Sequence, residues 1–261
     1  MKIAICQLGI HFEQKEKNRI SAERFIHEAA LSQASLIVFP EMSFTGFSMH
    51  TEIVGEEFEE TLNRMKEIAI LEKIAIGFGW VKGKKQSENH YTIVDKNGAV
   101  LEDYVKIHPF SYSGEDQFFV KGVRPGSFVL NGIPFGVSIC YDLRFPELYQ
   151  QLSKEAHVIL VPANWPAGRR SHWRTLLKAR AIENQSYMIG VNCYGSQGEL
   201  YYSGNSSAVT PNGEVLFDIE DKEEMRIFEL TDDVPLYRKE FPTKADRRPE
   251  LYKEFYTGVY S

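Results

Sequence analysis

The chain opens on a short uncharged run, Ile3 to Leu8, and a second apolar run, Leu36 to Phe39, follows after the stretch Glu13 to Gln33. A strand without polar alternation is buried on both faces, so whatever it joins must cover it from both sides. The stretch between carries Ile20, Phe25, Ala29 and Ala30 among its apolar positions and reads as an amphipathic helix. Strand, helix, strand in that order predicts a crossover between parallel neighbours. The pattern continues with a helix over Glu56 to Leu71 and strands over Ile74 to Val81, His90 to Asp95 and Ala99 to Val105. The last two strands are joined by Lys96-Asn97-Gly98, and Asn-Gly is a strong hairpin signal.

The second half repeats the theme. A strand near Phe128, a turn at Asn131-Gly132 and a strand into Cys140 precede a helix from Pro146 to Lys154. Then come a strand from His157 to Val161, a helix from about Ser171 to Gln185, and strands near Tyr187 to Tyr194, Ser207 to Thr210, Glu214 to Asp218 and Arg226 to Leu230. The segment Tyr237 to Ser261 is charged and aromatic, with no clear period. No stretch has the composition of a flexible linker. Alternation in both halves therefore predicts one α/β domain over residues 1–261, with a C-terminal tail from about residue 237.

With 43% hydrophobic residues the chain can bury a sizeable core, and a formal charge of −6 argues against a general nucleic-acid binder. Three cysteines, Cys6, Cys140 and Cys193, make neither a disulfide framework nor a zinc site, and they fit a reducing cytoplasm. The N-terminus enters a strand at once, without the apolar region of a signal peptide, and no apolar run approaches the ~20 residues of a membrane span. The seven histidines lack metal-ligand spacing, so no metal or other cofactor is expected.

The chemistry-bearing residues sit at strand ends. Phe135 to Ile139 runs into Cys140, and Pro146 is well placed as the first residue of the next helix. A helix dipole there would favour the thiolate, the form that attacks carbon. Leu36 to Pro40 ends in the carboxylate of Glu41, and Tyr104-Val105 ends in the ammonium of Lys106. Taken singly these residues have ordinary readings: a core cysteine, a loop carboxylate and a solvated lysine. Cys6 and Cys193 read as core residues. Gly77-Phe78-Gly79 reads as a strand packed closely against a neighbour, and Arg180 with Glu183 as a helix-surface pair.

Together the three segments resemble the nitrilase superfamily of carbon–nitrogen hydrolases, in which Glu, Lys and Cys occur in this chain order. The resemblance runs from Ile3 to about Phe241. It implies a four-layer α-β-β-α sandwich, which periodicity alone does not give. It also implies a catalytic triad of Glu41, Lys106 and Cys140, with Glu115 as accessory acid; the neighbouring Asp116 is the alternative. Cys140 would attack an amide carbon, Glu41 would shuttle the proton, and Lys106 with the Tyr141 N–H would stabilise the oxyanion. The segment Ala163-Asn164-Trp165-Pro166, followed by Ala179 to Gln185, resembles the ω-amidase branch. That branch implies hydrolysis of the terminal amide of 2-oxoglutaramate or 2-oxosuccinamate through a thioester. The cysteine is followed by Tyr141-Asp142 and not by the Trp-Glu of a true nitrilase.

Such a substrate ends in a carboxylate and needs a cation plus a lining for a short carbon stem. Phe44, Phe110, Tyr141 and Trp165 are candidates for the lining. Arg144 is the candidate carboxylate ligand, with a salt bridge to Glu147 as its other reading. Arg169 and Arg170 are further candidates, and His172 and Trp173 are candidates to face the same cleft, which spacing alone does not decide. An N-carbamoyl compound or another small amide is the alternative substrate. A non-catalytic scaffold is the alternative class. The resemblance further implies a homodimer, and the tail aromatics Phe241, Tyr252, Phe255, Tyr256 and Tyr260 would either cover a partner subunit or fold back on their own chain.

Overall fold

The structure is a computed structural model and describes residues 1–258; Tyr260 lies outside the described residues. Six strands form the first sheet: β1 (Lys2–Gln7), β2 (Leu36–Val38), β3 (Ala75–Lys82), β4 (Glu88–Val94), β5 (Val100–Val105) and β13 (Glu224–Glu229), in the order β13-β1-β2-β3-β4-β5. The second sheet runs β10 (Tyr194–Gln197), β11 (Leu200–Val209), β9 (Tyr187–Asn192), β8 (Val158–Ala163), β7 (Ile133–Val137), β6 (Gly126–Leu130), with β12 (Val215–Glu220) paired to β11. Each sheet has a parallel centre, β1-β2-β3 in one and β7-β8-β9 in the other, flanked by antiparallel neighbours.

The apolar stretch Ile3 to Cys6 of the first strand behaves as its composition requires. Ala4 and Cys6 pack with Ile37, Ile76 and Phe78 against Phe25 and Ile26 of α1 (Lys15–Leu31) and Leu62 and Met65 of α3 (Glu60–Glu72). Ile3 and Ile5 face the other way, with Val38, Tyr91 and Ile93, into a cluster that contains Phe135, Val137 and Leu160 of the second sheet. The alternation is the two-residue period of a strand. The same cluster continues to Leu148 and Leu152 of α4 (Pro146–Leu152) and to Trp173, Leu177 and Ala181 of α5 (Arg170–Asn184). The order is helix, sheet, sheet, helix: a four-layer sandwich.

Two glycines set how closely these layers approach. A Cβ on Gly190 would stand 2.5 Å from Leu177 Cδ1 and 2.7 Å from Trp173 Cζ2, so α5 lies directly on β9. A Cβ on Gly79 would stand 2.3 Å from the Met42 nitrogen and 2.9 Å from the Glu41 carbonyl carbon. Gly79 of β3 thus admits the backbone that carries Glu41, which is the close approach its sequence implied.

Differences from the sequence reading fall where polarity or brevity hides an element. The one-turn helix α2 (Thr51–Val54) and the strand β10 are additional, and β11 begins at Leu200 and not near Ser207. Glycines and serines in that stretch read as loop, yet Ser203, Asn205, Ser206 and Ser207 are all buried. The tail holds two short helices, α6 (Val234–Glu240) and α7 (Pro249–Thr257), each with proline in its first turn. Its described part contacts its own chain. Tyr256 donates to Glu147 at 2.5 Å, Gln185 donates to the Phe241 carbonyl at 2.7 Å, and Lys244 donates to the Ser153 carbonyl. No helix among the described residues is long and apolar enough to cross a membrane.

Candidate active site

The seam between the two sheets collects the strand-end residues. Glu41 follows β2 and Lys106 follows β5, both from the first sheet; Cys140 follows β7 of the second. Lys106 Nζ donates to Glu41 Oε1 at 2.8 Å and to both Glu115 oxygens at 3.0 and 2.9 Å. Glu41 and Glu115 are wholly buried and Lys106 is 1% exposed, so two carboxylates share one ammonium out of reach of bulk water. Glu115, and not the exposed Asp116, reaches the lysine. A backbone bond of 2.5 Å from the Phe110 N–H to Glu115 Oε2 fixes the acid from the other side.

Three residues that the sequence reading missed complete the cluster. Asn89 donates from Nδ2 to Glu41 at 2.9 Å and to Glu115 at 3.2 Å, while its Oδ1 has no partner among the described residues. Asn164 donates its backbone N–H to Glu41 Oε2 at 2.9 Å and its side-chain amide to the Glu41 carbonyl at 2.6 Å. Its own carbonyl lies 3.8 Å from the Cys140 sulfur. Asp142 is the third. It accepts from the Ile139 N–H at 2.9 Å, from Tyr104 at 2.8 Å, and from the backbone and ring of His108 at 3.0 and 2.7 Å. Arg180 adds a bond of 3.1 Å to the Leu143 carbonyl beside its pairing with Glu183.

These contacts brace a strained turn. Cys140 has φ +47°, a left-handed conformation that costs a non-glycine residue of order 1 kcal/mol or more. The thiol is not held as a thiolate by a helix dipole. Burial pushes its pKa up, and Glu41 adds to this against the opposing pull of Lys106. It rests as a thiol and needs a base, and the base is next to it. Burial alone would lower Lys106, but Glu115 and Glu41 more than compensate and its pKa is raised. Burial raises Glu115, Lys106 pulls it down and Glu41 pushes it up, for a net rise.

The cluster has a pH signature. With Lys106 replaced by methionine, Glu115 loses the charge that pulls it down and its pKa moves further up. A carboxyl whose folded value exceeds its unfolded one favours the fold at low pH, and that contribution is lost as pH rises through the folded value. Lys106→Met is expected to lose about 3–5 kcal/mol of stability at neutral pH, with a smaller deficit near pH 5. Urea unfolding at both pH values measures it; a deficit that does not change with pH would contradict the arrangement.

Above Cys140 a cavity of about 210 Å³ opens, lined by Phe47, Phe110, Tyr141, Trp165, Leu200 and Tyr202 among others, with Lys106, Arg144 and Arg169 as its cations and no acid in its lining. Phe110, Tyr141, Arg144 and Trp165 are thus brought to the cavity. Phe44 is not. It packs in the core at 6.5 Å from Phe39 and 6.4 Å from Phe78, and Phe47 holds the place expected for it. The loop after β2 turns through Met42 (φ +43°) and Gly46 (φ +74°), which breaks the strand parity that would have told the two apart. The Arg144 guanidinium stands 4.7 Å from the Trp165 ring centre and 3.3 Å from His172 Nδ1; Glu147 pairs with Tyr256 instead. Arg169 lies 5.3 Å over Phe110. Arg170 is exposed, and Trp173 packs beneath Trp165 in the core, 5.4 Å ring to ring.

A thiol, a carboxylate and an ammonium gathered beneath a small cavity are the groups that acyl-transfer hydrolysis needs, and the chain belongs to the carbon–nitrogen hydrolase family, which matches residues 2–239. Within it the similarity is to amidases. The 2-oxoglutaramate amidase of Bacillus subtilis (strain 168) is 34% identical over 219 residues, 82% of this chain and 84% of that protein. The omega-amidase YafV of Escherichia coli (strain K12) is 33% identical over 215 residues, 81% and 83% of the two chains. A glutamate-to-glutamine variant of the amidase from Nesterenkonia sp. AN1 has a solved structure with a TM-score of 0.87 at 25% identity, covering 98% of this chain and 99% of that one. It shows the result of Michael addition of acrylamide at that enzyme's active-site cysteine.

Proposed function

We propose that the protein is an ω-amidase that hydrolyses the terminal amide of a small 2-oxo dicarboxylic acid monoamide, 2-oxoglutaramate or 2-oxosuccinamate, to the acid and ammonia. Cys140 attacks the amide carbon while its proton passes to Glu41. Lys106 Nζ and the Tyr141 N–H hold the oxyanion of the tetrahedral adduct. The adduct collapses as Glu41 returns the proton to the leaving nitrogen, which departs as ammonia and leaves a thioester. Glu41 then takes a proton from water, hydroxide adds to the thioester carbonyl, and the sulfur leaves as the thiol with that proton. Glu115 and Asn89 position Lys106 and Glu41 throughout.

The observation that carries the substrate reading is the pair of guanidiniums. Arg144 and Arg169 line the cavity above Cys140, and neither is ion-paired to a carboxylate among the described residues. A half-buried arginine that lines a cavity without an acid partner is a ready carboxylate ligand. The cavity, at about 210 Å³, is smaller than the roughly 300–1,000 Å³ of sites for drug-sized ligands, which suits a stem of a few carbons. The names of the similar amidases support the same choice.

Ammonia release from 2-oxoglutaramate, succinamate, glutamine and an N-carbamoyl amino acid tests the proposal. Turnover is expected for the keto-acid amide, weaker turnover for succinamate, and the least for glutamine, whose ammonium would enter a cavity lined by three cations. Turnover of the N-carbamoyl compound alone would replace the ω-amidase reading with the carbamoyl one.

A further inference from the structure

Five tyrosines are buried, and four of their hydroxyls are accounted for within the protein. Tyr91 donates to the Phe39 carbonyl at 2.9 Å and Tyr104 to Asp142 at 2.8 Å; Tyr149 pairs with Ser138 at 2.6 Å and Tyr187 donates to Asp233 at 2.9 Å. The fifth is Tyr202 on β11. It is 1% exposed and lines the cavity with Cys140 and Arg169, and its hydroxyl hydrogen-bonds to no described residue. A buried tyrosine hydroxyl ordinarily finds a partner, so one left open toward a substrate cavity is a donor kept for what enters it.

Its surroundings keep it a donor. Burial pushes the phenol up, as do the neighbouring Cys193, Cys140 and Glu41, against the smaller opposing effect of Arg169. It shares the cavity lining with Cys140 and with both arginines, the two ends of a line across that cavity. A keto-acid amide laid along that line has its amide carbon at the sulfur, its carboxylate at the arginines, and its 2-oxo oxygen between them.

Resting on the ω-amidase reading, we propose that the Tyr202 hydroxyl donates a hydrogen bond to the 2-oxo oxygen and is the residue that distinguishes 2-oxo amides from amides of the same length without the oxo group. A site built to hydrogen-bond one substrate group rejects the analogue lacking it, because the site's own donor is then left unpaired.

The test compares kcat/KM for 2-oxoglutaramate and for glutaramate, which has the same carbon chain and no oxo group, in the wild type and in Tyr202→Phe. The expected result is a loss of about 10- to 30-fold on 2-oxoglutaramate and under about 3-fold on glutaramate. Alkylation of Cys140 by iodoacetamide at an unchanged rate would show that the substituted site is intact. Equal losses on both substrates would make Tyr202 a packing residue, and no loss on 2-oxoglutaramate would remove it from recognition; either overturns the proposal and leaves the ω-amidase reading standing. Failure of the wild type to turn over 2-oxoglutaramate overturns both, and is seen before any substitution is made.

Discussion

Cys140→Ala should reduce ammonia release from 2-oxoglutaramate by on the order of 10⁴-fold or more, the scale of loss when a covalent nucleophile is removed. The loss should come without unfolding. Alanine keeps the Cβ that makes the left-handed turn costly, so it neither adds strain nor relieves it, and the Asp142 bonds that hold the turn do not involve the sulfur. Thermal unfolding within a few degrees of the wild type, together with lost turnover, is the expected pair of results. Residual turnover within tenfold of the wild type would mean that another group attacks the amide. Cys6 and Cys193 serve as internal controls: both are buried, and burial pushes both thiols up. Labelling by iodoacetamide should fall first on Cys140, the cysteine that lines the cavity.

Glu41→Gln should separate the two roles that the wild type merges. Amide turnover should fall by about 10³-fold, because a glutamine amide cannot carry the proton from thiol to leaving nitrogen. Alkylation should survive. In the wild type the thiol's pKa is raised by burial and by Glu41 and lowered by Lys106, so its alkylation rate climbs with pH and does not level off below about pH 9. Neutralising Glu41 removes one raising charge and leaves the lowering one, and the climb should begin at lower pH. Alkylation rates from pH 6 to 10 would read this directly; a profile displaced to higher pH would contradict the assigned electrostatics. The acrylamide adduct at the active-site cysteine of the Nesterenkonia glutamate-to-glutamine variant is of the same kind, a thiol reactive toward an electrophile.

How much of this was legible beforehand follows from the range of each interaction. Glu41, Lys106 and Cys140 end strands, and strands are legible from local composition, so their chain order and context were enough to find them. Asn89, Asp142 and Asn164 carry as many site contacts, yet an asparagine after a glutamate, or an aspartate after a tyrosine, has no local mark. Apart from the Ile139 N–H that Asp142 accepts, their partners lie 24 to 123 residues away. Tyr202 was hidden for a different reason. The strand that carries it is polar because its serines and asparagine bond to one another and to neighbouring backbone inside the protein, and from sequence a buried polar network looks like a surface loop. The exchange of Phe47 for Phe44 shows the same limit at short range: beyond the end of a strand, a left-handed turn decides which side chain faces inward.

The seam location of the site has a consequence for how the protein comes into being. One sheet supplies the proton acceptor and the ammonium, and the other supplies the sulfur, so neither half owns a working set. A chain with only its second sheet formed carries an ordinary protonated cysteine, with no base beside it and no cation to hold an oxyanion. Amide hydrolysis, which needs all three groups, is therefore withheld until the two sheets have closed on one another.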